Sequence, residues 1–306
     1  MKADIKKMSI VDACEHTIKS LLPAEINYPE NRPEHSNYTD NYEINQLPEI
    51  LVISSFPPRE CGIATYSQDL ITALNHKFGT SFNIRVCALE SGKSDYKYSD
   101  EVRYVLDTSN PQSFHKTAQS INHNRHIKIV LIQHEFGFFS VQENAFQDFL
   151  QAVEKPVVVV FHTVLPEPNE QLKLNVQNIA QHSEAIIVMT KHAARLLEND
   201  YQLSGSKVTV IAHGTHLVPH LDENTLKVKY KLNGRKVLTT FGLLSSGKSI
   251  ETTLKALPSI IKKVPDVMFL IIGKTHPEVV KHEGEKYRDM LKQTVIDLDI
   301  SQHVRF

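Results

Sequence analysis

A pattern of short apolar runs and longer amphipathic runs begins near residue 49. Several apolar runs are continuous rather than alternating, which is typical of strands buried on both faces of a sheet. They cover residues 50–54, 84–88, 102–106, 127–132, 157–161, 185–189 and 208–212. The runs between them predict helices over 66–77, 113–122, 142–153, 170–182 and 191–199. This alternation predicts a parallel sheet with helices on both sides, so residues 49–218 form one Rossmann-like domain.

The same pattern starts again after a polar segment that contains Pro219. We assign residues 219–235 to a hinge and residues 236–306 to a second Rossmann-like domain. Its strands are predicted at 236–241, 267–272 and 304–306, and its helices at 250–263 and 285–298. A parallel sheet of barely three strands leaves its far edge unpaired, so we expect the second domain to be partial.

The first 48 residues differ from the rest of the chain. Residues 25–46 contain almost no aliphatic side chains, and such a segment buries too little apolar surface to offset the entropy of ordering it. Residues 1–48 are therefore predicted to be a polar N-terminal extension, with one candidate helix over 10–22.

Charge and composition exclude several classes of protein. The 34 Lys and Arg residues balance 35 Asp and Glu residues, whereas a nucleic-acid surface needs clustered excess positive charge. No apolar run is long enough to span a bilayer, and the N-terminus lacks a secretory h-region. Three cysteines without a CxxC pair do not form a disulfide framework and fit a reducing compartment. We therefore expect a soluble, cytoplasmic protein.

Residues 242–249 read GLLSSGKS and match the P-loop pattern GxxxxGK[ST]. Glycines such as Gly242, backbone N–H groups near Ser249 and the cation of Lys248 would suit a phosphate. However, only 57 residues follow Ser249, and the next predicted strand ends in Gly273 rather than in the Mg²⁺-binding Asp of a nucleotide hydrolase. A phosphate site in a two-domain enzyme is favoured, while a P-loop hydrolase and a purely structural turn remain alternatives.

Candidate chemistry also collects after the strands of the first domain, where ligands of open α/β sheets bind. The loop after the first strand contains Arg59 and Gly62, and glycine permits close approach of a ligand to the backbone. Further candidates follow later strands: His134 and Glu135, then His162, then His213. One such histidine alone is more often structural, but their shared position favours a site.

His213, His216 and His220 have the spacing of zinc ligands. The segment offers no Cys or carboxylate partner of good spacing, so we expect no metal.

These residues together resemble the retaining GT-B glycosyltransferases of family four, which use nucleotide-sugar donors. The resemblance spans residues 50–306 and rests on the order of six weak motifs. They are the glycine loop at 56–64, His162-Thr163, residues 211–214, residues 241–248, residues 270–273 and the run 275–288.

The resemblance implies a GT-B-like fold, no obligatory metal or other cofactor, and a donor bound between the domains. It implies that Gly62 lies against the donor phosphates and that His162 contacts the transferred sugar. It implies that Lys248 neutralises the diphosphate leaving group, with Gly242 and Ser249 beside it. Arg59, His134, Glu135 and His213 are possible contacts to acceptor or donor.

Two departures from the family pattern limit what the resemblance implies. Leu243 stands where the family often has Arg, and the family's pair of glutamates separated by seven residues is missing. We therefore expect a hexosyltransferase acting on a carbohydrate or small-molecule acceptor, yet inactive as the isolated 306-residue chain. A P-loop nucleotide hydrolase and a non-catalytic module that binds nucleotide or glycan are the alternatives.

Overall fold

A computed structural model describes residues 47–79, 81–92, 96–215 and 218–306. The chain divides into two compact units, Met1–Thr215 and His216–Phe306. Nearly all of the extension predicted over 1–48, including its candidate helix, lies outside the described residues.

The first unit is built around a seven-stranded parallel sheet. Its strands are β1 (Glu49–Ser54), β2 (Asn83–Glu90), β3 (Val102–Asp107), β4 (Ile127–His134), β5 (Val157–Phe161), β6 (Ala185–Val188) and β7 (Val208–Val210). Its helices are α1 (Gly62–Phe78), α2 (Pro111–His123), α3 (Phe136–Phe139), α4 (Glu143–Ala152), α5 (Glu170–Gln181) and α6 (Lys191–Asn199), with a 3-10 turn at Gly205–Lys207. The predicted alternation is confirmed.

The sheet is buried on both faces, as its continuous apolar runs predict. Along β1, Leu51 and Ile53 belong to a cluster that includes Phe114 of α2, whereas Ile50 and Val52 belong to another cluster with helix α1. Successive side chains of a strand point to opposite faces, so a run without polar residues needs cover on both sides.

The strand order is β3-β2-β1-β4-β5-β6-β7. The chain therefore builds outward from β1 in one direction and then returns to start again at β4. Ligands of open α/β sheets bind outside the carboxyl ends of the strands where the order reverses, which here is between β1 and β4.

The second unit contains a three-stranded parallel sheet in the order β10-β9-β8. Its elements are α7 (Glu223–Lys229), β8 (Lys236–Phe241), α8 (Ile250–Lys263), β9 (Val267–Ile272), α9 (Pro277–Glu283), α10 (Lys286–Asp297) and β10 (Val304–Arg305), with 3-10 turns at Ser246–Lys248 and Ser301–His303. Its core packs α8 and α10 against β9 through residues such as Leu254, Phe269 and Leu291.

Two short helices of the second unit, like the four-residue α3 of the first, were absent from the sequence predictions. Helix α7 lies inside the segment assigned to the hinge, where the Asp222 side chain caps it by accepting from the Thr225 N–H. Helix α9 begins at Pro277, and the His276 side chain accepts from the Glu278 N–H. Both helices have seven residues, too few to show a clear helical period, so only their capping residues mark them.

Candidate functional site

The candidate site of the first unit lies at the carboxyl ends of its strands, which we call the carboxyl edge. Helix α1 begins there at Gly62, and its N-terminus is capped by Cys61, whose Sγ accepts from the Ala64 N–H at 3.3 Å. A side chain at Gly62 would meet no atom within 4 Å. Packing does not require glycine at this position, so the open space is available to a ligand.

His162 follows β5 directly and is held by its neighbours. Its backbone N–H donates to the His134 carbonyl at 3.0 Å, and its Nε2 lies 2.8 Å from Oε1 of Gln133. Burial, together with a smaller contribution from the neighbouring His213, lowers the pKa of His162 to about 4. The ring is therefore neutral at physiological pH, and the hydrogen bond at Nε2 fixes its orientation.

Three rings lie in a row on this edge. Tyr66, in the first turns of α1, has its ring centroid 5.0 Å from that of His162 and 5.1 Å from that of His213. His213 is exposed, and its Nδ1 lies 2.6 Å from the Gly214 carbonyl oxygen. The structure thus brings two predicted residues together through Tyr66, which sequence reasoning missed because one tyrosine on an amphipathic helix carries no distinct signal.

His134 lies inside the unit rather than on its surface. It is 1% exposed, and its ring centroid lies between 4.7 and 5.8 Å from four phenylalanine rings. Those rings are Phe136, Phe139, Phe146 and Phe161. Burial lowers the pKa of His134 to about 3, with His162 adding to the effect. A neutral ring packed in this way supports the wall behind the carboxyl edge and offers no surface to a ligand.

Glu135 and Arg59 are both tied to neighbouring strands. The Thr163 hydroxyl donates to Oε2 of Glu135 at 2.6 Å, which links the ends of β4 and β5. Nη1 of Arg59 donates to the Leu89 carbonyl at 3.3 Å, and its guanidinium lies 5.4 Å from the Phe138 ring centroid. These contacts hold a carboxylate and a cation near the point where the strand order reverses.

In the second unit the candidate site begins with two adjacent glycines. Gly242 and Gly273 follow β8 and β9 with φ of 133° and 147°, and the Gly242 N–H donates to the Ile272 carbonyl at 3.0 Å. A Cβ on Gly273 would lie 1.8 Å from the Gly242 carbonyl oxygen. Nη1 of Arg288 donates to the Gly273 carbonyl at 2.8 Å. Sequence analysis assigned Gly242 to the site but neither Gly273 nor Arg288.

Lys248 and Ser249 directly precede helix α8. Lys248 is exposed at the end of the 3-10 turn Ser246–Lys248, and Ser249 has a left-handed backbone with φ of 47°. Helix α8 begins only at Ile250, whose N–H donates to the Tyr287 hydroxyl at 3.1 Å. The glycine loop of a P-loop leads straight into a helix N-terminus, so this arrangement gives no support to the P-loop alternative.

No protein-family model and no curated protein matches the sequence. Solved structures do match. A glycosyltransferase from Rickettsia africae ESF-5 superposes with a TM-score of 0.57 at 15% identity, covering 85% of this chain and 67% of the other. Anabaena Alr3699/HepE in complex with UDP and glucose gives 0.57 at 15% identity, covering 84% and 68%. The S. aureus MnaA–UDP structure gives 0.51 at 16% identity, covering 85% and 69%.

The protein has a GT-B-like fold. At these sequence identities the structural similarity establishes the architecture of two Rossmann-like units. The function has to be argued from the residues of the site. The similarity confirms the predicted fold class, in which the strand pattern indicated Rossmann-like units and the family resemblance implied a GT-B-like fold.

Two further observations concern metal-binding clusters and membrane-spanning helices. Within residues 47–79, 81–92, 96–215 and 218–306, no three His, Cys, Asp or Glu side chains are grouped for a metal ion. His216 of the considered zinc spacing lies outside these ranges. The same ranges contain no helix that is long and apolar enough to cross a membrane.

Proposed function

We propose that the protein is a glycosyltransferase that transfers a hexose from a nucleotide-sugar donor, with retention of configuration, to a carbohydrate or other small-molecule acceptor. The observation that carries the proposal is the neutral, oriented His162 at the carboxyl edge of a fold shared with a solved glycosyltransferase and with a protein solved in complex with UDP and glucose. A retaining enzyme similar to family four is the form of the proposal that the sequence motifs favour.

In this proposal the second unit binds the donor diphosphate. Negative charge builds on the diphosphate as the glycosidic C–O bond breaks, and a positioned cation stabilises that charge. Lys248 supplies the cation, and Gly242 and Ser249 are proposed to border the phosphate, although their N–H groups already donate to the Ile272 and Ser246 carbonyls. This assignment needs no metal, because Lys248 takes the part that Mg²⁺ plays in other phosphate sites.

The first unit supplies the contacts to sugar and acceptor. His162 is proposed to contact the transferred sugar, and Gly62 to leave room for the donor phosphates. Arg59, Glu135 and His213 are the proposed polar contacts around them, all in the first unit at its carboxyl edge. The buried His134 is left out of the ligand contacts and acts as a support.

The first test is binding of UDP, the nucleotide present in two of the similar structures. Calorimetry with UDP should show binding that survives EDTA, whereas ATP and GTP should bind weakly and should not be hydrolysed with Mg²⁺. Metal-dependent hydrolysis of ATP or GTP would instead support the P-loop alternative. Sugar transfer by the chain would exclude both a non-catalytic module and the inactivity expected of the isolated chain, and the anomeric configuration of the product, read by NMR, decides retention.

His162→Ala should lower kcat by more than it raises KM for the donor. A contact made mainly in the transition state lowers turnover rather than ground-state binding, and one lost hydrogen bond corresponds to roughly 10-fold or more in rate. Steady-state kinetics of a form of the enzyme that transfers sugar measures both constants, with the exposed His192→Ala as the matched control. An unchanged kcat would leave His162 with a structural role only.

A further inference from the structure

Gln133 is a buried polar residue that the assigned site does not use. It is the penultimate residue of β4, is 0% exposed, and stands in a strand that is otherwise largely apolar. Its Oε1 lies 2.8 Å from Nε2 of His162. Its own amide nitrogen is buried and has no hydrogen-bond partner among the residues that the structure describes.

Leaving a buried amide nitrogen without a partner destabilises a fold, so the position is costly on packing grounds alone. An apolar side chain of similar size would avoid that cost. Among the described residues, the one hydrogen bond that the Gln133 side chain makes is to His162. The role of Gln133 therefore lies in its effect on which nitrogen of the His162 ring carries the proton.

A neutral imidazole carries one N–H, and its other nitrogen is a hydrogen-bond acceptor. The oxygen of an amide can only accept, so a bond from His162 to Oε1 of Gln133 requires the proton on Nε2. Nδ1 then carries a lone pair. Within the described part of the chain, Nδ1 of His162 has no hydrogen-bond partner, so the lone pair is available to a ligand.

We propose that Gln133 is a positioning residue that holds His162 as the Nε2–H tautomer, so that Nδ1 accepts a hydrogen bond from a hydroxyl group of the sugar. The tautomer rests on the geometry of the first unit alone. The contact to a sugar hydroxyl rests on the proposed glycosyltransferase function.

The tautomer can be read directly by ¹⁵N NMR of the imidazole rings in the full 306-residue chain. Protonated and unprotonated ring nitrogens have well separated shifts, and the His162→Gln spectrum identifies His162 among the 16 histidines. In the wild type, the proton of His162 is expected on Nε2 at pH 7. A proton on Nδ1 would overturn the proposal, because the amide would then present its nitrogen to the ring.

Two substitutions test whether Gln133 sets the tautomer. Gln133→Met removes the acceptor at similar volume, and both tautomers should then be populated. Gln133→Glu keeps only acceptor oxygens, so the Nε2–H tautomer should persist while the pKa of His162 rises beside the new carboxylate. An unchanged single tautomer in Gln133→Met would overturn the role, as would loss of the Nε2–H form in Gln133→Glu.

Gln147→Met is the matched control, because Gln147 is another buried glutamine of the first unit that bonds Glu143, Asn175 and Asn178 instead of His162. It should lower stability and leave the His162 signals unchanged. If Gln133→Met fails to fold, the wild-type tautomer and Gln133→Glu still decide the question.

The two proposals fail in different ways. An Nε2–H tautomer in a chain that binds no nucleotide would keep the positioning role and remove the glycosyltransferase. If both hold, Gln133→Met should lower kcat several-fold with little change in donor KM, and Gln133→Glu should restore part of the loss and shift the pH profile. A fall in kcat without recovery in Gln133→Glu would contradict positioning through the acceptor oxygen.

Discussion

Phe161 and Phe241 end two strands in the two units, and each is followed at once by a candidate site residue, His162 or Gly242. Phe161 is 2% exposed, whereas Phe241 is 83% exposed. Strand β5 is paired on both sides by β4 and β6, while β8 is paired only with β9 among the described strands. Strand β5 (VVVVF) is buried along its whole length, whereas β8 (KVLTTF) is more polar and largely exposed.

The two candidate sites differ for the same reason. In the first unit, side chains packed between layers become neutral and take fixed hydrogen bonds, as His162 does with Gln133. In the second unit, the backbone conformations of Gly242 and Gly273 shape the surface, and Lys248 stands exposed beside them. Substitutions should therefore act through packing in the first unit and through backbone and charge in the second.

The largest expected difference is between Phe161→Ala and Phe241→Ala. Truncation of a buried phenylalanine leaves a cavity and costs about 3–5 kcal/mol, while an exposed one changes stability by about 0.5 kcal/mol or less. Urea denaturation followed by circular dichroism measures the free energy of unfolding of both variants. Equal losses of unfolding free energy in the two variants would contradict the difference in burial between Phe161 and Phe241.

Gly273→Ala should be the most harmful change in the turn of the second unit. Its Cβ would lie 1.8 Å from the Gly242 carbonyl oxygen, and its φ of 147° is strained for any other residue. We expect a loss of about 2–4 kcal/mol from strain and overpacking together. Gly242→Ala has the same kind of φ without the clash and should lose less. If thermal unfolding shows Gly242→Ala to be the less stable variant, the backbones of Gly242 and Gly273 must lie farther apart than in the structure.

Lys248→Ala should weaken UDP binding without changing stability. One lost charged contact to a phosphate corresponds to about 1.5–3 kcal/mol, or roughly one to two decades in Kd. Lys262→Ala, which removes another exposed lysine of the second unit, is the control and should leave Kd unchanged. Calorimetry that finds equal affinity in wild type and Lys248→Ala would remove this residue from the site.

The smallest expected effect is a pH dependence of stability in the first unit. The pKa of His134 is about 3 in the folded chain, against about 6.5 when unfolded, so between these values the unfolded state binds the extra proton. The stability this provides is fully present above about pH 6.5 and is lost as the pH falls. From pH 7 to 5.5 the loss is about 1 kcal/mol for such a histidine.

His134→Phe should therefore lose about 1 kcal/mol less than the wild type over that pH interval, because the protonatable ring is gone. Urea titrations at pH 7 and 5.5 measure the difference. His192→Phe, at an exposed position, should follow the wild type. A wild-type slope in His134→Phe would show that the ring is not kept neutral by burial.

Much of the fold follows from the hydrophobic pattern. Strands β5, β8 and β9 and helices α6 and α8 lie where continuous or amphipathic runs place them, because both signals come from residues next to each other in sequence. The hydrophobic pattern did not predict helices α7 and α9, because their starts depend on single capping side chains. Of the site, the sequence indicated His162 and His213 through their positions after strands. Tyr66 and Gln133 were not predicted as site residues, because their roles arise from contacts with His162, which is distant from them in sequence.

The sequence by itself determined which segments form the strands and the longer helices, that the central strands of the first unit are buried on both faces, and which residues follow each strand at the carboxyl edge. Only the tertiary structure decided that His134 is buried, that Gln133 meets His162, and that Ser249 separates Lys248 from its helix. Periodicity reports the surroundings of a residue along its own element. Burial, tautomer and pKa depend on atoms brought from distant parts of the chain, so they arise only when the layers pack together.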